Sequence, residues 1–399
     1  MAAMSAISVG VRGPSRRTAR AARFSVEIFD DWETAAAAWD APGFASYRTV
    51  FQDACWLRAW YGAFAGSAVE PMIAIIGDAA TGAPVALLPL IRRRQRGVRI
   101  VEFADLELTD YNAPVLAGDA GRDPASANAM WKALRVALRR SPGGADLLRL
   151  RKMPLEIDGI ANPLALLKAA RGCSVNGNIV ATGDDYDAYR HSLGRVVRKE
   201  LERSWRVFTR DPAAAFQVVT ARDEALRILS TIELQQGARM RDLGLNFVLN
   251  DGANAAFYRN LVQGGIAQGY AVVTVLTAGS EIVAALLGVR SGARYTMIRI
   301  SNAGQRWSNC SPGRLIIERT MHALHRDGVR TFDFSIGNYS YKRRFGVAHV
   351  PLVNVTSALG ARGLPYVLRD RAAHWLRQRP GLARHVRRLL GKPPSREEE

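Results

Sequence analysis

Apolar residues gather along this chain in helically spaced segments and in short continuous runs, and the two kinds follow one another in a repeated order. Residues 55–64 (CWLRAWYGAF) carry aromatic and apolar side chains at helical spacing, which predicts a helix. Residues 72–76 (MIAII) and 85–91 (VALLPLI) are short apolar runs on either side of a turn at 77–84, and 99–104 follows a basic break. They predict strand, turn, strand, strand. The second half repeats the order. Residues 254–268 predict a helix, and 271–276 (AVVTVL), 282–289 (IVAALLGV) and 294–300 (RYTMIRI) predict a meander with a turn at 277–281.

The two halves also end alike. Residues 126–140 predict an Ala/Leu/Trp helix followed by a strand at 145–150. Residues 314–326 predict a helix followed by a strand at 329–334. Gly143–Gly144 and Gly328 sit where a helix C-terminus favours glycine. Helix, antiparallel meander, helix, strand predicts an α/β fold in which each half has a mixed, mostly antiparallel sheet flanked by helices. No Gly-x-Gly-x-x-Gly follows the first strand of either half, which counts against a dinucleotide-binding fold.

The remaining stretches set the boundaries. Residues 1–23 read as a disordered basic leader, 24–183 as the N-terminal domain, 184–358 as the C-terminal domain and 359–399 as a basic amphipathic segment and tail. Residues 184–206 predict one strongly basic helix between the halves. Residues 364–390 form a basic, Trp-containing amphipathic segment broken by Pro380, and 393–399 read as a disordered tail.

Charge sharpens the picture. The chain has 399 residues and a formal net charge of +19. Arginines cluster at 12–23, 92–99 and 369–388, a surface that attracts anions. Cys55, Cys173 and Cys310 lie far apart with no Cys-x-x-Cys pair, so no zinc site or disulfide framework is expected and a reducing, cytoplasmic compartment fits. His322 and His325 share a helix face, but no carboxylate or cysteine pattern accompanies them, and no metal is expected. No apolar run approaches the roughly 18 residues of a membrane span. The C-terminal segment is expected chiefly to pack on its own domain, with weak contact to an anionic membrane surface as the other reading. No nucleic-acid motif accompanies the charge, so no specific nucleic acid is expected. Oligomeric state is left open.

The connection at 300–314 holds the candidate cofactor chemistry. It runs from Ile300 through Arg306, Ser311, Pro312 and Gly313 to Arg314, with a strand before it and a helix after it, and contains no acidic residue. A helix start offers unsatisfied N–H groups and partial positive charge, which suits a pyrophosphate. The matching connection at 117–124 carries Asp119 and Asp123 instead, so the cofactor is expected in the second half only.

These residues resemble the GNAT acetyltransferase superfamily, and in particular its FemAB-like branch, which includes the CelD-type proteins of cellulose-biosynthesis loci. The run Cys310-Ser-Pro-Gly-Arg-Leu-Ile-Ile-Glu318 is similar to that branch's Tyr-Ser-Pro-Gly-Arg-Leu-Leu motif. Phe332-Asp-Phe-Ser-Ile-Gly337 with Tyr341-Lys-Arg-Arg-Phe345-Gly346 is similar to its Phe-Asp-Phe-x-x-Gly…Tyr-Lys ending, and Asp110-Tyr-Asn-Ala-Pro114 to a segment after its third strand. The resemblance runs from about Phe44 to Val355. The phosphate motif of the superfamily is not intact, since Asn309 and Ser311 stand near its glycine positions. Gln236-Gly-Ala-Arg239-Met240 replaces a His-x-x-Arg-Trp segment.

The resemblance implies two tandem GNAT-like domains and direct transfer of an acyl group from acetyl-CoA or another acyl-CoA to an amine on a small molecule or glycan. Pantetheine would lie along an opened strand at 294–300. Tyr341 is the candidate acid for the departing thiolate, and Asp333 the candidate base or acceptor ligand. Asp110, Tyr111, Arg239 and Lys342 are candidates for holding the acceptor. Arg195, Arg198 and Lys199, on one helical face, read chiefly as a solvated charged face. Two other readings stay open: an aminoacyl-tRNA-dependent transferase like the peptidoglycan Fem ligases, and a non-catalytic scaffold of exopolysaccharide assembly.

Overall fold

A computed structural model describes residues 23–381, apart from 40–45, 67–68, 119–122, 246, 338 and 380. The leader at 1–22, Asp119 and the tail at 393–399 lie outside the described residues.

Each half is built as its apolar pattern requires. In the second half, Ala271–Ala278, Glu281–Ser291 and Arg294–Asn302 pair antiparallel in sequence order. The helix Pro312–Arg326 then returns the chain to Thr331–Asp333, which pairs parallel with Arg294–Asn302. In the first half, Leu90–Gln95 pairs antiparallel with Val98–Phe103, and the helix Pro124–Arg140 returns the chain to Leu147–Pro154, parallel with Val98–Phe103. One parallel pair in each otherwise antiparallel assembly follows from that helical crossover, since a hairpin cannot join parallel strands. The fold is α/β, with mixed, mostly antiparallel sheets flanked by helices.

The two halves exchange strands. Gly177–Ala181 lies in the second-half sheet, between Thr331–Asp333 and Ala348–Val350. Leu352–Ala358 crosses back and pairs antiparallel with Leu147–Pro154 of the first half. They also share a core. The helices Ala54–Phe64 and Gly252–Gly265 pack together, with the Trp56 and Phe257 rings 4.9 Å apart, edge to face. Trp56, Trp60, Phe51 and Phe257 are completely buried there. Such burial stabilises by roughly 2–3 kcal/mol per large side chain.

Two expectations are corrected. The run at 85–91 is two strands, Pro84–Leu88 and Leu90–Gln95, in different sheets. Pro89 has no N–H for a ladder and marks the switch. The basic helix at 184–206 is two helices, Tyr186–Ser192 and Arg195–Phe208, parted at Leu193 and Gly194. The apolar pattern also leaves out the longest helix, Arg222–Asp242. Its inward positions Ala225, Ile228, Leu229 and Ile232 do have helical spacing. No helix among the described residues is long and apolar enough to cross a membrane.

Candidate functional site

The strand Thr331–Asp333 ends beside Thr296, and there the two halves meet. Asp333 is completely buried. Its Oδ1 accepts hydrogen bonds from the Tyr111 hydroxyl and the Ser335 backbone N–H, each at 2.8 Å. Its Oδ2 has no hydrogen-bond partner, and the Arg294 guanidinium stands 3.9 Å away. Burial pushes the Asp333 carboxyl up to about 6, with Arg294 opposing. Burial likewise pushes Asp110 up to about 6, opposed by hydrogen bonding to Ser335. The Tyr111 phenol is raised well above its ordinary value by burial and by Asp333.

Tyr111 is placed by the segment after Val98–Phe103. Lys152 Nζ lies 2.9 Å from the buried Asp105 carboxylate, and Asn112 donates to Asp105 and to the Arg151 carbonyl. Gln52 donates to the Tyr111 carbonyl at 3.1 Å. The Tyr111 ring also needs Gly177. A Cβ there would stand 2.1 Å from the phenol oxygen. Lys342 completes the cluster. It is buried and donates to the carbonyls of Ser335 (3.2 Å) and Ile336 (2.7 Å). Burial lowers its ammonium to about 8, against the pull of Asp110 and Asp333. Tyr111 and Asp333 line a cleft of about 400 Å³ between the halves, with Arg48, Glu156, Asp158 and Arg294 on its walls. Thus Asp110 and Tyr111 from the first half and Asp333 and Lys342 from the second come together.

Tyr341 does not join them. It lies in the short helix Ser340–Arg343, stacked near Tyr339 at 6.1 Å, and packs against the apolar cluster under Arg195–Phe208 and Pro312–Arg326. Burial pushes its phenol up to about 12.

The connection after Arg294–Asn302 forms a second opening. Arg239, Asn302, Ser308, Ser311, Gly313 and Arg314 line a broad depression of about 470 Å³ at the start of Pro312–Arg326. Ser311 has φ 49° and ψ 60° and makes no side-chain cap, which leaves the helix start open. Arg314 pairs with Glu200 at 2.8 Å and donates to Ser311 Oγ at 2.9 Å. Arg306 takes a different place from that expected. It pairs with Glu281 at 3.0 Å, lies over the Trp307 ring and does not line the depression.

Between cleft and depression the strands part. Arg294–Asn302 and Thr331–Asp333 pair only at Arg294–Thr331, Tyr295–Phe332 and Thr296–Asp333. A bulge interrupts the other edge of Arg294–Asn302 opposite Leu287 and Gly288. Beyond Thr296 the strand edge is met by side chains. Ser335 Oγ donates to the Met297 carbonyl (2.7 Å), and Gln236 Nε2 to the Ile300 carbonyl (2.9 Å). Gln236 Oε1 also accepts from Arg299, which is buried against the Tyr258 ring 4.6 Å away. Gln236 therefore braces the strand, and Arg239, one turn on, faces the depression.

Sequence reasoning missed Arg294, Arg299, Ser335 and Gln236. Arg299 left a signal as a charge inside an apolar strand, and Gln236 and Ser335 stand within segments already singled out by resemblance. Cys310 is buried against the Trp307 carbonyl, and burial raises its thiol. His322 stacks on Tyr186, and His325 bonds the Gly183 carbonyl at 2.9 Å.

Residues 195–343 match the Acetyltransferase (GNAT) domain family. No curated protein matches this chain. Among solved structures it is similar to FemX, at 9% identity and a TM-score of 0.55, over 82% of this chain and 96% of that one. It is also similar to a conserved protein of unknown function from Bacteroides thetaiotaomicron, at 11% identity and a TM-score of 0.51, over 84% and 99%. At such identities the likeness is one of fold. That family match lies in the second half, within a two-half fold similar to that of FemX.

Proposed function

We propose that this protein transfers an acyl group from acyl-CoA, acetyl-CoA in the simplest case, directly onto an amine that enters through the cleft between the halves. The observation that carries the reading is the parted strand pair. From Met297 to Asn302 the edge has no strand beside it, only the Ser335 and Gln236 side chains, over six residues, about 20 Å at ~3.3 Å each. It connects a basic helix start suited to phosphates with the buried carboxylate of Asp333 and the half-buried one of Asp110. An extended pantetheine arm has that order of length.

Asp333, with its unpartnered Oδ2, and Asp110 are placed to accept the proton lost by the attacking amine. Carboxyls near 6 are mostly ionised at neutral pH and still basic enough to take a proton. Lys342, near 8, is better matched than Tyr341 to reprotonate the leaving thiolate. Donor phosphates would sit against the Gly313 N–H, Arg314 and Arg239. Ser335 and Gln236 hold the strand edge beside the arm. The CelD-type resemblance extends the proposal to an acceptor amine of polysaccharide or cell-envelope metabolism, and to a cytoplasmic enzyme.

A second reading has one observation in its favour. The helix Arg195–Phe208 touches the depression through Glu200 and exposes Arg195, Lys199, Arg203 and Arg206. That face suits the backbone of an aminoacyl-tRNA donor. Calorimetric titration of acetyl-CoA and CoA, beside an Arg239→Ala, Arg314→Ala variant, separates the readings. Micromolar binding lost in the variant supports acyl-CoA. No binding at millimolar ligand sinks it. Binding of aminoacyl-tRNA would then favour the second reading, and binding of neither donor a scaffold of exopolysaccharide assembly.

A further inference from the structure

The helix Leu364–Arg377 lies against the first-half sheet by one face only. Tyr366 and Val367 pack on Val98, Ile100 and Leu147, and Asp370 accepts a 2.8 Å hydrogen bond from Thr356. Its start is fixed where the Leu359 and Gly360 N–H groups bond the Asp146 carbonyl, at 2.9 and 3.1 Å. A Cβ on Gly363 would stand 2.1 Å from that same carbonyl, so the helix enters at a set angle.

Among the described residues the outward face is apolar and carries no packing partner beyond Arg379. Leu364, Leu368 and Trp375 are 54%, 62% and 47% exposed. At ~100° per residue they fall within about 40° of one another, one stripe along the helix. Arg371 interrupts the stripe, and the Arg379 guanidinium lies 4.1 Å above the Trp375 ring. Beside the stripe, Arg151, Arg171, Arg369, Arg371, His374 and Arg377 line a groove of about 200 Å³. Arg371 and Arg377 have no carboxylate partner among the described residues. The sequence beyond adds Arg384, Arg387 and Arg388, more charge of the same sign.

An exposed aliphatic and Trp stripe set among unpaired arginines matches one kind of surface. We propose that this helix seats the protein on an anionic lipid bilayer. Leu364, Leu368 and Trp375 enter the headgroup–acyl boundary, while Arg371, Arg377 and Arg379 meet lipid phosphates. The helix stays in the plane of the membrane, because its other face remains packed on the sheet. A protein partner would need acidic groups matched to each arginine, whereas a bilayer supplies both layers at once. The proposal is independent of the acyl donor.

The test is sedimentation of the full chain with phosphatidylcholine vesicles, with and without phosphatidylglycerol. Binding is expected to the anionic vesicles alone and to weaken as salt rises. A Leu368→Glu, Trp375→Glu variant should partition about tenfold less, and Arg371→Glu about fivefold less. All three positions are exposed, and an unchanged melting curve verifies the fold. Anionic vesicles should also blue-shift the emission of the wild type by a component that Trp375→Phe removes. Equal partitioning of the apolar variant would overturn the proposal, as would equal binding to neutral vesicles. Binding of a random oligonucleotide that needs Arg371 but not Leu368 or Trp375, with no vesicle binding, would replace it with a nucleic-acid surface.

Discussion

The hydroxyl of Tyr111 donates a 2.8 Å hydrogen bond to the Asp333 carboxylate, joining residues 222 positions apart. It makes one chemical group out of two halves. The phenol satisfies one carboxylate oxygen and leaves the other buried and open. The following expectations rest on that arrangement and on the strand edge beside it.

Asp333→Asn keeps an oxygen for Tyr111 to bond but removes the proton acceptor. Turnover in an acetyl transfer assay should fall about 10²-fold or more, with the KM for acyl-CoA little changed. Tyr111→Phe should cost less, since it removes only the hydrogen bond. Equal activity of the Asn variant would remove Asp333 from the chemistry.

The pH profile should be a bell. Asp110 and Asp333 stand near 6 and Lys342 near 8, all shifted chiefly by burial. Activity should rise through pH ~6 as a carboxylate becomes able to take a proton and fall above pH ~8 as Lys342 loses its own. Stability should follow the shifts. The raised carboxyls add stability at low pH that is lost between about pH 4 and 6, because the folded state then binds more protons than the unfolded one. The lowered ammonium adds stability at high pH that is lost as pH falls from about 10 to 8. Rates and urea midpoints across pH 4–10 check both.

Gly177→Ala should disturb the site without touching either carboxyl. Its Cβ would stand 2.1 Å from the Tyr111 oxygen and 2.7 Å from two ring carbons. A destabilisation of about 1–3 kcal/mol is expected, as for overpacking elsewhere. In the Gly177→Ala, Tyr111→Ala double variant the penalty of the glycine change should vanish. Additive urea midpoints would show that the two residues do not collide.

Arg306→Ala should leave acyl-CoA affinity unchanged, since Arg306 is occupied by Glu281 and stands outside the depression. Arg314→Ala and Arg239→Ala should each weaken it about 5- to 20-fold, the loss of one charge-assisted bond. Calorimetry on the three variants distinguishes the depression from the loop as a whole.

Lys152→Met should destabilise the protein by about 3 kcal/mol, because it strands the buried Asp105 carboxylate. Burial already raises Asp105 despite Lys152, so protonation will absorb part of the loss, and the deficit should shrink below pH 5. Asp105 also anchors Asn112, so turnover should fall along with stability.

The sequence by itself determined the local elements. The apolar runs at 271–276, 282–289 and 294–300 became the meander, and the apolar spacing at 126–140 and 314–326 became the two crossover helices, because run length and spacing are local properties. The helix start at Ser311–Arg314 was also legible, since Pro and Gly after a strand mark such a start. Only the tertiary structure decided what pairs across the chain. Pro89 divides an apolar run between two sheets, and Leu352–Ala358 returns to the first half, because hydrogen-bond partners lie beyond any local window. The same holds for Arg306 and Arg239: Arg239 lines the depression, and Arg306 stands outside it. A guanidinium goes to the nearest free carboxylate or opening, and Glu281 happens to stand beside one and not the other. Tyr111 and Asp333 were each visible as candidates, but their hydrogen bond required two strand systems to close on each other around Gly177.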